Sequence, residues 1–136
     1  KRNKKKSFCL IGDGEMQEGQ IWESAMYAGV RKLNNLCVIL DNNKMQNETF
    51  TKNTLDIMPI KEKWKSFKWK VLEIDGHSYI EIKNAISKFY SEKNKPTFII
   101  ANTLKGKGVS FMENSALWHS KALDEKNFQK AIRELR

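Results

Sequence analysis

The chain has 136 residues, of which 40% are hydrophobic and 30% charged, and its net charge is +9. This length corresponds to about one domain, and the composition predicts a folded core and excludes a disordered or collagen-like chain. No apolar run approaches the roughly 18 residues of a membrane span, and no signal peptide is recognisable, so we expect a cytoplasmic protein with no membrane partner.

Short apolar runs alternate along the chain with segments of helical spacing. Strands are predicted at residues 7–11, 36–40, 69–74 and 97–101, and helices at residues 18–32, 59–67, 79–90 and 124–135. This alternation predicts an α/β fold with a mostly parallel sheet flanked by helices. Because the strands are continuously apolar, we expect the sheet to be covered on both faces.

Polar and glycine-rich segments follow the predicted strands, at the edge where parallel sheets bind ligands. Gly12-Asp13-Gly14-Glu15 follows the first strand, and Asn42-Asn43 follows the second. Two glycines allow a sharp turn and a close approach to a ligand, and the helix that follows favours an anion. A third segment, Lys105-Gly106-Lys107-Gly108, fits either an anion-binding loop or a solvated flexible loop.

Oxygen ligands of the kind that Mg²⁺ prefers occur in the first two segments. Asp13 offers a carboxylate oxygen, Asn43 an amide oxygen, and a nearby loop a backbone carbonyl. Two phosphate oxygens and a water would complete an octahedron, so the pattern indicates a Mg-diphosphate site. Each piece alone also fits an ordinary tight turn, and the pairing at the ends of consecutive strands favours the site.

Three colinear strings resemble the transketolase family, and together they cover essentially the whole chain. They are GDGEMQEGQIWESAMYAG from Gly12, VLEIDGHSYIEI from Val71 and KPTFIIANTLKGKGVSFMENSALWH from Lys95. The first string is most similar to the separate N-terminal subunits of split transketolases. The resemblance implies that residues 1–136 form a single domain, the C-terminal half of a transketolase-like diphosphate-binding domain.

The family resemblance implies roles for individual residues. Asp13, Asn43 and the backbone carbonyl of Met45 match the metal ligands, for Mg²⁺ or for Ca²⁺ or Mn²⁺ in its place. Gly14 matches the glycine whose N–H meets the diphosphate. His119 matches a histidine beside the reactive carbon of thiamine diphosphate and the substrate.

Two acidic residues of the first string have two readings. Gly12 and Glu15 are assigned to the cofactor-binding turn, although Glu15 also fits an ordinary first-turn acid that the helix dipole favours. Glu18 matches a glutamate at the dimer interface, near the network that links two cofactor sites, and it also fits a first-turn acid. His77, in Asp75-Gly76-His77-Ser78, is interpreted as a turn and helix-cap residue.

The implied activity is the transfer of a two-carbon ketol unit between sugar phosphates, with thiamine diphosphate as cofactor. The family also implies a partner, either a pyrimidine-binding transketolase domain or a C-terminal subunit, in a homo- or hetero-oligomer. We expect little or no turnover from this chain alone. A component of another thiamine diphosphate enzyme, of the 2-oxo-acid dehydrogenase type, shares the metal motif but should lack the string that ends at His119.

The remaining alternative is a non-catalytic basic module that binds nucleic acid. Residues 1–6 supply five of the nine net charges and are expected to be a solvated tail or the surface end of a helix. Residues 61–70 interleave lysines with Trp64, Phe67 and Trp69, which could stack on bases or lie in the core, and the strand that follows favours the core. We therefore expect no nucleic-acid partner.

The two cysteines, Cys9 and Cys37, are too few for a disulfide framework. Each lies in an apolar run. We expect both to be small buried side chains of a protein in a reducing compartment.

Overall fold

A computed structural model describes residues 5–47 and 49–136 of the chain. Its strands are β1 (Ser7–Gly12), β2 (Leu36–Asn42), β3 (Met45–Gln46), β4 (Thr49–Phe50), β5 (Lys70–Asp75) and β6 (Thr97–Asn102). Its α-helices are α1 (Gly19–Val30), α2 (Thr51–Thr54), α3 (Ile60–Ser66), α4 (Tyr79–Ser91) and α5 (Glu125–Glu134). Among these described residues, no helix is both long and apolar enough to cross a bilayer.

The long strands form one parallel sheet in the order β1-β2-β6-β5. Gly12 pairs with Asp41 at the end of β1, and Asn42 pairs with Asn102 at the end of β2. The carboxyl ends of neighbouring strands are therefore aligned along one edge. The predicted fold class, a mostly parallel sheet flanked by helices, is confirmed.

The larger core lies between the sheet, α1 and α3, and it is built on aromatic rings. Trp64 stacks on Phe98 with ring centroids 3.7 Å apart, and Trp69 packs edge-on against Trp64 at 4.8 Å. The indole N–H of Trp69 donates to the backbone carbonyl of Ala25 over 2.8 Å. Both tryptophans are buried, so the core interpretation of residues 61–70 is confirmed and these two rings are not free to stack on bases.

Helix α1 approaches the end of α3 closely, and a glycine makes this possible. A Cβ at Gly29 would lie 1.8 Å from the backbone carbonyl oxygen of Phe67. No side chain could occupy that position without moving the backbone of one element. Gly29 thus sets the distance between α1 and the turn that leads into β5.

The opposite face of the sheet is covered by α4. Ala85 and Phe89 of this helix pack with Cys37 of β2 and Ile99 of β6. Ser78 caps α4, since its hydroxyl accepts a hydrogen bond from the Glu81 N–H. Helix α5 is capped in the same way by Asp124, which accepts from the N–H of Asn127 over 2.7 Å.

The expectation of a sheet covered on both faces is wrong for the edge strand β1. Phe8 is 46% exposed and Leu10 is 71% exposed, on a strand whose sequence is continuously apolar. Cys9 is exposed as well, so the prediction of two buried thiols holds only for Cys37. The physical reason is that β1 is an end strand of the described sheet, with a paired strand on one side, whereas β2 and β6 have paired strands on both sides.

Some local features differ from the sequence predictions. Met26 of α1 is exposed, although its position is spaced as for the apolar face of that helix. The antiparallel pair of β3 and β4, followed by α2, was not predicted, because two-residue strands are too short to show periodicity.

The basic run at the start of the chain is described only in part. Residues 1–4, which carry most of the predicted tail, lie outside the described residues, as does Glu48. Lys6 is described and does not behave as a solvated tail residue. Its ammonium donates to the carbonyl of Asn34 over 3.0 Å and lies 4.4 Å from the Phe89 ring centroid.

Candidate functional site

A cleft of about 480 Å³ opens at the carboxyl edge of the sheet, beside β1, β2 and the loop after β6. Every site residue predicted from the sequence lines it: Gly12, Asp13, Gly14, Glu15, Asn43, Met45 and His119. Glu18, Gln46 and Lys105 line it too. The structure therefore brings together residues that are more than a hundred positions apart in the chain.

Asp13 is the buried acid of this cleft, with a relative exposure of 2%. Among the described residues, its Oδ2 has no hydrogen-bond partner. Burial raises the pKa of the carboxyl, and the nearby Asp41 raises it further, while backbone N–H donors of Lys44 and Gly14 act in the opposite direction. A buried carboxylate oxygen without a partner is costly, and a cation is the group that would satisfy it.

Asn43 and Met45 lie in the turn that follows β2. The backbone N–H of Met45 donates to Oδ1 of Asn43 over 2.9 Å, and Nδ2 of Asn43 donates to Asp41 Oδ2 over 3.2 Å. These two bonds orient the amide and leave Oδ1 with a second lone pair. The Met45 side chain is buried, as expected for a residue that would act through its carbonyl.

Gly14 borders the cleft where another chain segment lies against it. A Cβ at this position would lie 2.9 Å from the Cβ of Gln46. Its backbone is in the ordinary right-handed region, so the glycine serves close approach rather than an unusual dihedral angle. Its N–H lies against the Asp13 carboxylate, whose pKa it lowers.

Glu15 closes the turn that contains Asp13. Its Oε2 accepts a hydrogen bond from the N–H of Gly12 over 2.7 Å, within a 3₁₀ turn at Glu15–Gln17. This contact is structural and fits the reading of Glu15 as a first-turn acid. Glu18 is the residue before α1, makes no side-chain capping bond and faces solvent beside the cleft.

His119 is exposed at the end of a 3₁₀ turn, Ala116–His119. The adjacent Trp118 anchors the turn, because its indole N–H donates to the Phe111 carbonyl over 2.9 Å and the two rings pack edge to face. His119 is thus presented to the cleft from a segment that is itself held in place.

The loop after β6 carries Lys105 into the cleft. The backbone N–H of Leu104 donates to Nε2 of His77 over 2.8 Å, and the N–H of Asn114 donates to the Lys105 carbonyl over 3.1 Å. The turn part of the interpretation of His77 is confirmed, since its N–H donates to Asp75 Oδ1 over 2.9 Å, but the helix-cap part is wrong, because Ser78 caps α4 and the His77 ring binds the Lys105 loop. This partner could not be found from the sequence, since β5 and β6 are brought together only by the sheet.

Sequence reasoning also missed Gln46, whose side chain lines the cleft and whose Oε1 is shielded from solvent without a hydrogen-bond partner among the described residues. The direction of the Gln46 side chain depends on the short β3–β4 pair, which local periodicity does not reveal.

The described residues contain no group of three or more His, Cys, Asp or Glu side chains placed to hold a metal. A metal in this cleft would therefore need amide and carbonyl oxygens as well as Asp13, which is the donor set that Asn43 and Met45 offer.

Comparison with known proteins identifies the class. The family described as "Transketolase, thiamine diphosphate binding domain" matches residues 2–135. This chain therefore belongs to the transketolase family, within its thiamine diphosphate binding domain. The resemblance that the three sequence strings indicate is confirmed.

Individual relatives agree with the family assignment. The chain is 43% identical to the 6-deoxy-6-sulfo-D-fructose transketolase subunit SqwG of Clostridium sp. (strain MSTE9), covering 94% of this chain and 46% of that protein. It is 36% identical to an apulose-4-phosphate transketolase subunit of Phocaeicola vulgatus, covering 96% of this chain and 46% of that protein. The chain thus spans about half the length of these relatives.

A solved structure shows the same fold. The transketolase of Campylobacter jejuni superposes with a TM-score of 0.89 at 34% identity, over 96% of this chain and 20% of that one.

Proposed function

We propose that this chain supplies the Mg-diphosphate part of a transketolase site, which transfers a two-carbon ketol unit between sugar phosphates. The observation that carries the proposal is the buried, unpartnered Oδ2 of Asp13 among the described residues, in the cleft that also holds Asn43 and Met45. Thiamine diphosphate, when bound, supplies the electron sink for making and breaking the carbon–carbon bond. The protein's part is to bind, orient and exchange protons.

Three oxygens are suited to hold the cation against the diphosphate. They are the carboxylate of Asp13, Oδ1 of Asn43 and the backbone carbonyl of Met45. All are hard donors, which suits Mg²⁺, and Ca²⁺ or Mn²⁺ could take its place. The bonds that orient Asn43 are present without any ligand, so the turn is organised before the cation arrives.

Two cationic or basic side chains face the same space. Lys105 would offset negative charge on the diphosphate or on a sugar phosphate. His119 would take a proton from a sugar hydroxyl and return it, because an imidazole can act as both base and acid near neutral pH. Gly12, Gly14 and Glu15 shape the turn that carries Asp13.

We propose that residues 1–136 form one domain, the C-terminal half of a diphosphate-binding domain, and that a pyrimidine-binding transketolase domain or a C-terminal subunit completes the site in a homo- or hetero-oligomer. The exposed apolar residues of β1 support a partner, as do Met26, Tyr27 and Val30 of α1. The names of two relatives, which call them transketolase subunits, also support it. A cytoplasmic location is consistent with the two free thiols.

The test is calorimetry with thiamine diphosphate and MgCl₂, with and without a pyrimidine-domain partner. We expect Mg²⁺-dependent binding that Asp13→Ala abolishes. Glu23→Ala is the matched control, because Glu23 is an exposed acid of α1 outside the cleft and loses the same charge. Turnover should require the partner, and His119→Ala should reduce it without weakening cofactor binding.

Two outcomes would contradict the proposal. The first is an absence of binding under both conditions. The second is equal binding by the wild type and Asp13→Ala. Steeply salt-dependent nucleic-acid binding in place of cofactor binding would favour the basic-module alternative.

A further inference from the structure

Asp41 is an acid that lies behind the proposed ligand Asn43, outside the cleft. Its Oδ2 accepts a hydrogen bond from Nδ2 of Asn43 over 3.2 Å, and its Oδ1 accepts one from the hydroxyl of Thr103. Neither Asp41 nor Thr103 is among the described residues that line the cleft, and both line a neighbouring cavity of about 450 Å³. Asp41 therefore contacts a proposed ligand without lining the space that the cation would fill.

The two ends of the Asn43 amide are chemically different, and each faces a complementary group. Oδ1 accepts from the backbone N–H of Met45 over 2.9 Å, while Nδ2 donates to Asp41. If the amide were turned by half a rotation, its nitrogen would face the Met45 N–H and its oxygen would face the Asp41 carboxylate, so both contacts would become repulsive. The observed orientation holds the oxygen, the amide atom suited to a cation, beside Met45 at the cleft.

Thr103 connects this arrangement to a second strand. It follows β6, its backbone N–H donates to the Asn42 carbonyl over 3.4 Å, and its hydroxyl donates to Asp41. The terminal torsion of an aspartate is broad, so a carboxylate with one partner can rotate. Because each oxygen of Asp41 has its own donor, the carboxylate is restrained and so is the amide that binds it.

We infer that Asp41 and Thr103 are positioning residues that hold the Asn43 amide with its oxygen available to the cation. The inference deepens the proposed function and rests on it. Outer partners of this kind orient the side chains that touch a metal and tune the affinity for it. The competing role for Asp41 is purely electrostatic, because its negative charge would also attract a cation.

The test uses Mn²⁺ as the probe, titrated in the presence of thiamine diphosphate, with free Mn²⁺ counted by electron paramagnetic resonance. It is run on whichever form of the protein, alone or with its partner, shows wild-type binding. Asp41→Leu keeps the approximate shape of the side chain but removes both acceptors, and we expect Mn²⁺ to bind about 10–100-fold more weakly. Asp41→Asn removes the charge but can still accept from Asn43 and donate to the Thr103 hydroxyl, so it should bind nearly as tightly as the wild type.

Thr103 provides a second, milder series of variants. Thr103→Val removes only the hydroxyl and should weaken Mn²⁺ binding by about 10-fold, and Thr103→Ser should restore it. Thr97→Val is the matched control, since it makes the same change at a buried position of β6 whose hydroxyl has no hydrogen-bond partner among the described residues. This series decides the question if Asp41→Leu does not fold.

The metal-free protein gives an independent readout. Hydrogen exchange of the Asn43 side-chain amide, followed by NMR, should be faster in Asp41→Leu than in the wild type and unchanged in Asp41→Asn. Backbone amides of α4 serve as the internal reference. A general loss of stability would speed the exchange of both, whereas a positioning role affects the Asn43 amide selectively.

The outcomes are separable from those of the proposed function. Weaker binding in Asp41→Leu with near-wild-type binding in Asp41→Asn supports the inference. Equal Mn²⁺ affinity in the wild type and Asp41→Leu, or in Thr103→Val and Thr97→Val, would overturn it and leave the Asp13 site intact. Equal losses in Asp41→Leu and Asp41→Asn would overturn it in favour of the charge. An absence of Mn²⁺ binding by the wild type itself would overturn the proposed function, and this inference with it.

Discussion

The backbone N–H of Met45 donates a hydrogen bond to the side-chain oxygen of Asn43, over 2.9 Å. The bond closes the turn after β2 and holds the side chain of one proposed ligand against the backbone of the other. The Asn43 amide is held at its other end by Asp41. Two oxygens with different chemistry, one amide and one carbonyl, are therefore positioned by a single short segment before any ligand binds.

This relationship predicts different effects for two substitutions of Asn43. Asn43→Ala removes a proposed oxygen ligand and frees the Met45 N–H, so it should abolish Mg²⁺-dependent binding and destabilise the protein by about 1 kcal/mol. Asn43→Asp keeps an oxygen for the Met45 N–H and should retain cation binding. Calorimetry with MgCl₂ and thiamine diphosphate measures affinity, and amide hydrogen exchange at Met45 reports the turn.

If the Met45 amide hydrogen exchanged no faster in Asn43→Ala than in the wild type, the hydrogen bond from Met45 to Asn43 would not be what orders the turn. Asn34→Ala is not a suitable control, since Asn34 binds the Lys93 carbonyl. Asn84→Ala, at an exposed position of α4 away from the cleft, is suitable and should leave both readouts unchanged.

The Asp13 carboxylate should lower the stability of the metal-free protein and should also be required for cation binding. Burial raises the pKa of this carboxyl above its ordinary value of 3.8, so the folded, metal-free protein holds this proton more tightly than the unfolded chain does. The contribution of the protonated Asp13 carboxyl to the free energy of unfolding is complete below the ordinary pKa. It is lost as the pH rises through the raised pKa of the folded state. At about pH 7 the neutral isostere Asp13→Asn should therefore melt at a higher temperature than the wild type, and at about pH 3 the difference should vanish.

With Mg²⁺ and thiamine diphosphate present, the wild type should melt at a higher temperature than Asp13→Asn. Saturating Mg²⁺ and thiamine diphosphate, at about 100 times their Kd, should stabilise the wild type by about 2.7 kcal/mol and leave Asp13→Asn unaffected. Thermal melts at both pH values, with and without ligands, provide the measurement. A metal-free Asp13→Asn that melts below the wild type at neutral pH would contradict the assignment of Asp13 as an uncompensated buried acid.

Gly29 should be intolerant of any side chain. In Gly29→Ala the added methyl would meet the Phe67 carbonyl at 1.8 Å, so α1 or the end of α3 must move. We expect a loss of about 1–3 kcal/mol in the free energy of unfolding, measured by urea denaturation. Gly19→Ala is the matched control, because nothing lies within 4 Å of a Cβ there and alanine favours the helix. A Gly29→Ala protein as stable as Gly19→Ala would refute the close approach.

The two cysteines should react very differently with a thiol reagent. Cys9 is exposed on β1, whereas Cys37 is buried and burial raises its pKa to about 12, which suppresses the reactive thiolate. Titration with an aromatic disulfide should label one thiol per native chain and two in denaturant. Cys9→Ser should abolish native labelling, and labelling of Cys37 in that variant would contradict its burial.

Local periodicity was sufficient to predict most of the fold. The runs that became β1, β2, β5 and β6 are apolar enough to be recognised one at a time, and the rule that parallel strands share an edge then predicted that Asp13 would meet Asn43. The β3–β4 pair was not predicted because strands of two residues are too short to show a period. The exposure of Phe8 and Leu10 was not predicted for a different reason: an apolar run indicates a strand, but not whether that strand lies at the edge of the sheet.

The sequence by itself determined the order of the elements, the family and the choice of the proposed oxygen ligands, because these depend on residue type and short-range spacing. Tertiary structure alone decided which atoms have partners. The unpartnered Oδ2 of Asp13, the inward Oε1 of Gln46 and the bond from Leu104 to His77 each depend on segments that the sheet and the β3–β4 pair bring together. Burial and hydrogen bonding are properties of that assembled neighbourhood, and a one-dimensional pattern does not contain them.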